Sequence, residues 1–317
     1  MLGWMGHPRK FRFGIQLGNA STGAEWAELA RKAEDLGYST LFMPDHFTEA
    51  LAPIPAMMAA ADATHTLRVG SLVLDNDYKH PVVTAKEAAT IDLLSDGRLE
   101  LGIGAGWMAS DYDHAGIPMD DAGVRVDRLE EGIAIIKGLF AEGSFSFQGK
   151  HYTVTDLDGR PKPAQRPHPP FLVAGGRPRV LRLAAREADI VGVNPAVKAG
   201  RVTVEASRDG AAEATDKKLG WVKEAAGDRY DDIEINFLIY ACVVTDDRTS
   251  TIETMAPLFG LEPDDVSVYP HAWIGSVEEI CDALVERRER WDASYLVLQG
   301  VDAMTAAAPI VSRLAGT

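Results

Sequence analysis

Short apolar runs alternate along the chain with longer stretches whose apolar residues return every three or four positions, and the two kinds follow one another eight times. The short runs have the length of buried strands, the periodic stretches that of amphipathic helices. Phe11 to Leu17 precedes a stretch from Ala24 to Leu36 in which Trp26, Leu29, Ala30, Ala33 and Leu36 fall at helical spacing, and Gly37 ends it. Thr40 to Met43 precedes Pro53 to Ala63, Arg68 to Leu74 precedes Pro81 to Leu94, and Leu99 to Ile103 precedes Val124 to Leu139. In the second half Phe171 to Ala174 leads into Pro178 to Glu187, and Asp189 to Val193 into a helical region between Val204 and Ala226. Ile233 to Val244 leads into helices ending near Arg290, and Tyr295 to Leu298 into Met304 to Leu314. Eight alternating units predict an α/β fold, a (β/α)8 TIM barrel, as one domain over residues 1–317. Such a barrel takes about 250 residues, so the surplus lies in insertions. Residues 143–169 read as a hairpin around Gln148-Gly149-Lys150 followed by a Pro-rich loop, and 261–273 as an irregular stretch.

Strand ends are where such folds keep their chemistry. The second strand breaks off into Pro44-Asp45-His46-Phe47, placing an acid and an imidazole at its carboxyl end. Histidine exchanges protons near neutrality, which makes His46 the candidate acid or base and Asp45 a candidate for orienting it. The fourth strand opens into Gly102-Ile103-Gly104-Ala105-Gly106-Trp107, where glycines let a flat or bulky group approach the backbone. As a dinucleotide fingerprint this fails, because Trp107 stands where the third glycine belongs and the strand is not the first. Gly175-Gly176-Arg177-Pro178 opens a helix after the fifth strand, joining free backbone amides, a positive helix end and an arginine in a place suited to phosphate.

Composition narrows the classes. With 32 basic and 47 acidic residues the net charge is −15, which argues against nucleic-acid and anionic-membrane partners and requires any phosphate site to be built locally. Cys242 and Cys281 are too few for a disulfide framework and read as buried thiols in a reducing compartment. No long uncharged apolar run or signal-like start occurs, so a cytoplasmic protein is expected. The histidines His46, His80 and His114 lack the spacing of a metal set, so no metal is expected. Lys79 sits too far into a loop for a Schiff-base lysine.

Taken together, these segments resemble the luciferase-like monooxygenase superfamily, in particular the branch that uses the deazaflavin coenzyme F420. The resemblance spans the chain. It rests on Pro44-Asp45-His46-Phe47, Val69-Gly70-Ser71-Leu72-Val73 through His80-Pro81, Thr90 through Arg98, Gly102 through Trp107, Pro161-Lys162-Pro163 with Gln165 and Pro167, Ala174-Gly175-Gly176, and Ile274 through Glu278. It implies a tricyclic ring across the barrel mouth, held by Gln16, Ser71, Leu72, Val73, Asp75, Gly104, Ala105, Gly106 and Trp107, with its phosphate on Gly175, Gly176 and Arg177. It further implies a non-proline cis peptide between Leu72 and Val73, in a bulge behind the ring. The implied reaction is hydride transfer at the coenzyme's C5 to or from a small organic substrate, with His46 and Asp45 as catalytic residues. The resemblance places a glutamate at Trp107 in sugar-phosphate dehydrogenases, so this chain departs from them there. Asp111, His114, Tyr269, His271 and Trp273 fall in loops near the mouth and are not expected to catalyse. FMN with a partner flavin reductase is the alternative coenzyme, a non-catalytic flavin-binding barrel the alternative of another class, and a homodimer the expected assembly.

Overall fold

A computed structural model of the chain describes residues 9–48, 50–197, 200 and 203–317. Eight strands form its centre: β1 Arg12–Gln16, β2 Thr40–Met43, β3 Arg68–Ser71, β4 Leu99–Gly104, β5 Phe171–Gly175, β6 Ile190–Val193, β7 Glu234–Ile239 and β8 Ala293–Gln299. Each pairs in parallel with its neighbours in the chain, and β8 pairs with β1, so the sheet closes on itself. Helices including Gly23–Asp35, Pro53–Ala63, Pro81–Leu94, Ala122–Phe140, Pro178–Glu187, Ala212–Ala226 and Val277–Trp291 cover the outside. The fold is a (β/α)8 barrel.

Alternation along each strand sorts side chains inward and outward. On β1, Phe13 and Ile15 join the large outer core beneath the helices, while Arg12 and Gln16 point into the barrel. The interior is built in layers. At the N-terminal end, fully buried Glu100 accepts from Arg12 at 2.9 Å, Arg68 at 2.8 Å and the Tyr295 phenol at 2.8 Å. Burial alone would raise the Glu100 carboxyl, but the two guanidinium groups outweigh it and hold the group below its ordinary value. Above this lies an apolar plug of Phe42, Leu72, Leu172, Ile190, Leu238, Tyr295 and Val297, with Val73 and Ala174 packed on it. Phe42 fits because its neighbours are glycines: a Cβ on Gly70 would stand 2.7 Å from its ring.

Between Gly70, opposite Glu100, and Leu74, opposite Ile103, the third strand uses four steps where β4 uses three, so it bulges by one residue. The Leu72–Val73 peptide inside this bulge is cis, as the family resemblance implied. A cavity of about 520 Å³ opens at the opposite, N-terminal end of the barrel among Arg12, Arg68, Glu100 and Glu234. There Arg12 pairs with both Glu100 and Glu234, and Arg68 with Glu100. That end is a charge-neutral seal.

The expected hairpin is present as antiparallel strands Phe145–Gln148 and Thr153–Leu157. Residues 261–273 are not wholly irregular: they hold a helix, Pro263–Ser267, and the start of strand Ala272–Gly275, which pairs with Ala241–Val244. The run read as Ile233 to Val244 breaks after Ile239, and its second part leaves the barrel to pair with Ala272–Gly275, a strand too short to announce itself by pattern. No helix among the described residues is long and apolar enough to cross a membrane.

Candidate active site

The C-terminal mouth of the barrel gathers the loops after β2, β3 and β4. Pro44 ends β2, and the next two side chains diverge as consecutive residues of an extended segment must. Asp45 turns toward the third strand, where its Oδ2 accepts the Asp75 amide at 3.0 Å. His46 turns the other way, and its Nδ1 lies 2.7 Å from Asp111 Oδ2. The expectation that Asp45 orients His46 is therefore corrected: Asp111 holds the ring, and Asp45 braces the turn behind it. Burial raises the Asp45 carboxyl above its ordinary value, against the pull of the Asp75 amide.

Asp111 belongs to helix Ala109–Ala115, which starts two residues beyond Trp107. Its side chain is 1% exposed, against 26% for His46. An ionised carboxylate only accepts, so this contact assigns the proton of the neutral imidazole to Nδ1 and leaves the Nε2 lone pair available. Asp111 Oδ1 is buried and has no hydrogen-bond partner among the described residues. Trp107 meets His46 edge to face, with ring centroids 5.7 Å apart and planes at 90°. Phe47, more than half exposed, packs on Tyr78 at 4.6 Å, and Tyr78 on Tyr112 at 5.6 Å. The mouth thus carries one imidazole set within an aromatic wall.

Beneath the wall a polar frame is closed on itself. The Tyr112 phenol donates to Asp75 Oδ2 at 2.8 Å, and the Asp77 amide donates to Asp75 Oδ1 at 2.9 Å. Burial pushes the Asp75 carboxyl up to about 6, opposed by these two bonds. Arg128 grips Asp77 through two nitrogens, each at 2.8 Å, and Arg125 donates to the Ala105 carbonyl at 3.0 Å, fixing the Gly104 to Trp107 turn. Ser71 donates to the Gly102 carbonyl at 2.7 Å, and Gln16 to the Leu72 carbonyl at 2.7 Å, with Gln299 in turn donating to Gln16 at 2.6 Å. Gln16, Ser71 and Asp75 are each less than a tenth exposed and spend these polar atoms inside the protein. Leu72, Val73 and Ala174 top the apolar plug, so the floor between His46 and the fifth strand is apolar.

The glycine turn after β4 differs from expectation in what approaches it. A Cβ on Gly102 would collide with the Ser71 carbonyl, one on Gly104 with Val73, and one on Gly106 with Tyr112 and Asp75. The close neighbour is the protein's own bulged third strand, and the glycines let that shelf pack down.

Across the mouth, Gly175 ends β5 and helix Pro178–Glu187 begins with Arg177 as its N-cap, without a side-chain hydrogen bond to the first turn. Among the described residues no side chain caps the amides of that turn, and exposed Arg177 stands beside them. The loop after β6 is locked against this turn. Asp209 Oδ2 accepts both the Ala196 amide and the buried Lys218 ammonium at 2.6 Å, and Lys218 also donates to the Asn194 carbonyl at 2.9 Å. Asn194 Oδ1 is buried there without a partner among the described residues.

Other residues near the mouth by sequence have other duties. Tyr269, His271 and Trp273 are each 1% exposed, and burial holds His271 in its neutral form, lowered to about 3. His114 is exposed on the same short helix as Asp111. Lys79 is tied to Glu87 at 2.7 Å. Cys242 and Cys281 are free thiols.

With this geometry in place, the likeness to known proteins can be read. The chain is 32% identical over 173 residues to an F420-dependent glucose-6-phosphate dehydrogenase of Amycolatopsis mediterranei, covering 51% of this chain and 50% of that protein. It is 31% identical over 171 residues to an FMNH2-dependent dimethylsulfone monooxygenase of Pseudomonas putida, covering 51% and 46%. Both alignments span about half of those relatives' length. The coenzyme F420 dependent tetrahydromethanopterin reductase of Methanopyrus kandleri superposes with a TM-score of 0.76 at 18% identity, over 96% of this chain and 98% of that one, which speaks to the fold alone. The family model of luciferase-like monooxygenases matches residues 6–307. Nearly the whole barrel, including the mouth that holds His46, Asp111 and Trp107, lies inside that match, and the chain belongs to the luciferase-like monooxygenase family.

Proposed function

We propose that this enzyme moves a hydride between coenzyme F420 and a small organic substrate at the C-terminal mouth of its barrel. The observation that carries the reading is the His46–Asp111 pair, placed beside an apolar shelf and across from an uncapped helix end. A planar ring fits the shelf of Leu72, Val73 and Ala174, and a phosphate fits the amides after Gly175 and Gly176 with Arg177 beside them. Bound deazaflavin supplies hydride acceptance or donation at C5. His46 Nε2 takes the substrate's proton as its hydride leaves, or returns it in the reverse direction, while Asp111 stabilises the imidazolium. Trp107 and the Phe47–Tyr78 pair exclude water and wall the substrate. A tryptophan at 107 gives a sugar phosphate no charged partner there, so the substrate class favoured is apolar or weakly polar.

FMN is the second reading, supported by the FMNH2-dependent relative at nearly the same identity. In that case a flavin reductase is the partner, and the same shelf and helix end receive the ring and phosphate. A second copy of the chain is the proposed assembly partner, with residues 1–317 acting as one domain.

The test is equilibrium binding of coenzyme F420 and of FMN to the purified protein, followed by oxidation of reduced F420 with a panel of aldehydes, ketones and enones. Tight F420 binding with turnover supports the first reading. FMN binding with oxygen-dependent turnover replaces it by the second, and binding of either without turnover leaves a non-catalytic flavin-binding barrel.

A further inference from the structure

Outside the mouth, a cavity of about 280 Å³ lies on the barrel's outer wall between segment Val266–Ile274 and helix Val277–Trp291. Two arginines line it. Arg248 donates from Nε to the Ile274 carbonyl at 3.1 Å and from a terminal nitrogen to the Ser267 carbonyl at 2.9 Å. Arg287 donates to the Ala272 carbonyl at 2.9 Å. Among the described residues, neither guanidinium forms an ion pair with a carboxylate. Arg12, Arg68, Arg128 and Arg290 are by contrast ion-paired, whereas Arg125 and Arg229, like these two, bond to backbone carbonyls.

Each guanidinium carries five N–H donors, so most of theirs remain uncommitted. Trp273 lines the same cavity, is 1% exposed, and its indole Nε1 is a buried donor without an acceptor among the described residues. The cavity therefore gathers two guanidiniums and a buried indole donor beside the lining carboxylates of Glu279, Asp282 and Glu286. Burial lowers Arg287 to about 10, and the charge of Arg248 adds to that effect. An orphaned buried donor is destabilising, and a like-charged pair adds repulsion, which an oxygen-rich anion would relieve together. Glu279 lines the cavity but is committed to the Ser276 amide in the helix capping box, while Asp282 and Glu286 stand exposed at the solvent side.

We propose that Arg248, Arg287 and the Trp273 indole form a receptor for a small oxyanion, a phosphate or a carboxylate, that shares no residue with the active-site mouth. The two sources have the same acceptor chemistry, and titration separates them. The exposed Asp282 and Glu286 oppose entry of an anion, so affinity is expected in the millimolar range rather than below it.

The experiment follows the Trp273 indole N–H resonance, assigned by its loss in Trp273→Phe, while inorganic phosphate or succinate is added at constant ionic strength. A saturable downfield shift with Kd of about 1 mM is expected for at least one of the two anions. Arg287→Gln and Arg248→Gln should each weaken it about tenfold, and Glu286→Gln should tighten it. Arg177→Ala, which alters the helix end in the mouth, should leave this shift unchanged, separating the site from any anion held there. An unmoved indole resonance with both anions overturns the proposal, as does an equal shift in wild type and Arg248→Gln. The latter variant loses two part-buried carbonyl bonds and decides the matter if Arg287→Gln fails to fold.

Discussion

Asp111 and His46 are separated by 65 residues in sequence and by 2.7 Å in space, and the better-buried member of the pair is the one from a seven-residue helix. The burial difference sets the direction of influence. Asp111 is the more buried, while His46 at the mouth has no second hydrogen-bond partner among the described residues, so in the proposed reaction the carboxylate positions and the imidazole exchanges the proton.

Asp111→Asn should preserve the fold and coenzyme binding but lower kcat by about 10- to 100-fold, part of the range ascribed to a positioned acid or base. The amide can offer Nδ1 a donor where it needs an acceptor, favouring the wrong tautomer. His46→Ala should lose about 10²-fold or more, and adding Asp111→Asn to it should cost little further, since the two act as a unit. Steady-state kinetics of the double mutant decide this: fully multiplicative losses would show that Asp111 does not act through His46.

Trp107 is the second mouth residue whose removal should be specific. Its ring meets that of His46 edge to face, and the proposed function gives it a place in the wall rather than in the proton path. Trp107→Ala should raise KM by about tenfold with a smaller change in kcat, as expected when binding shared by ground and transition states is lost. A fall in kcat comparable to that of His46→Ala, with KM unchanged, would instead make the indole part of the chemistry.

Much of the barrel could be read from the residues because strand and helix periods alternate without interruption. The ends of β2, β4 and β5 were likewise visible as His46, the glycine turn and Gly175-Gly176. Asp111 was visible only as one polar residue among several near the mouth. Its helix is too short to show periodicity, and nothing local links it to His46. The Glu100 cluster was equally hidden, because Arg12 and Arg68 look like ordinary strand-start residues until barrel closure turns them inward. The glycines after β4 signalled a close approach correctly, yet sequence could not say that the approaching group was Ser71 and Val73 of the neighbouring strand.

Stability should fall at low pH in part through Glu34. Near the end of helix Gly23–Asp35 its Oε1 accepts the amides of His65, Thr66 and Leu67, at 2.9, 2.5 and 2.9 Å, tying the start of β3 to that helix. Burial pushes the other way, but these bonds win and hold the carboxyl at about 2. A carboxyl depressed in the folded state contributes stability above its ordinary value of about 4.3 and loses it as pH falls through that value toward 2. Because Glu34 is only partly buried, solvent screening leaves a contribution of about 1 kcal/mol at neutral pH. Glu34→Gln should therefore lower the denaturation free energy by about that amount at pH 7 and by less at pH 3. Urea unfolding at both values checks it, and a difference that grows on acidification would reverse the assignment.

At the proposed phosphate turn, the informative substitution is at Arg177 rather than at the glycines. A Cβ at Gly176 would run into the backbone of Ala196 and Asn194, so Gly176→Val should disturb the loop after β6 whether or not phosphate binds there. Its loss of coenzyme binding alone would carry no information about the ligand. Arg177 is exposed, caps no first-turn amide with its side chain, and lies beside the helix end where an anion gains from both dipole and guanidinium. Arg177→Ala should leave the melting temperature unchanged and weaken coenzyme binding about tenfold, or about 1.4 kcal/mol. The loss should shrink at high salt, as screening predicts for an exposed charge. It should also be larger for the intact coenzyme than for its riboflavin-like fragment without phosphate, a comparison that isolates the phosphate contact. Equal losses for the two would move the phosphate away from this turn and leave Arg177 a general surface charge.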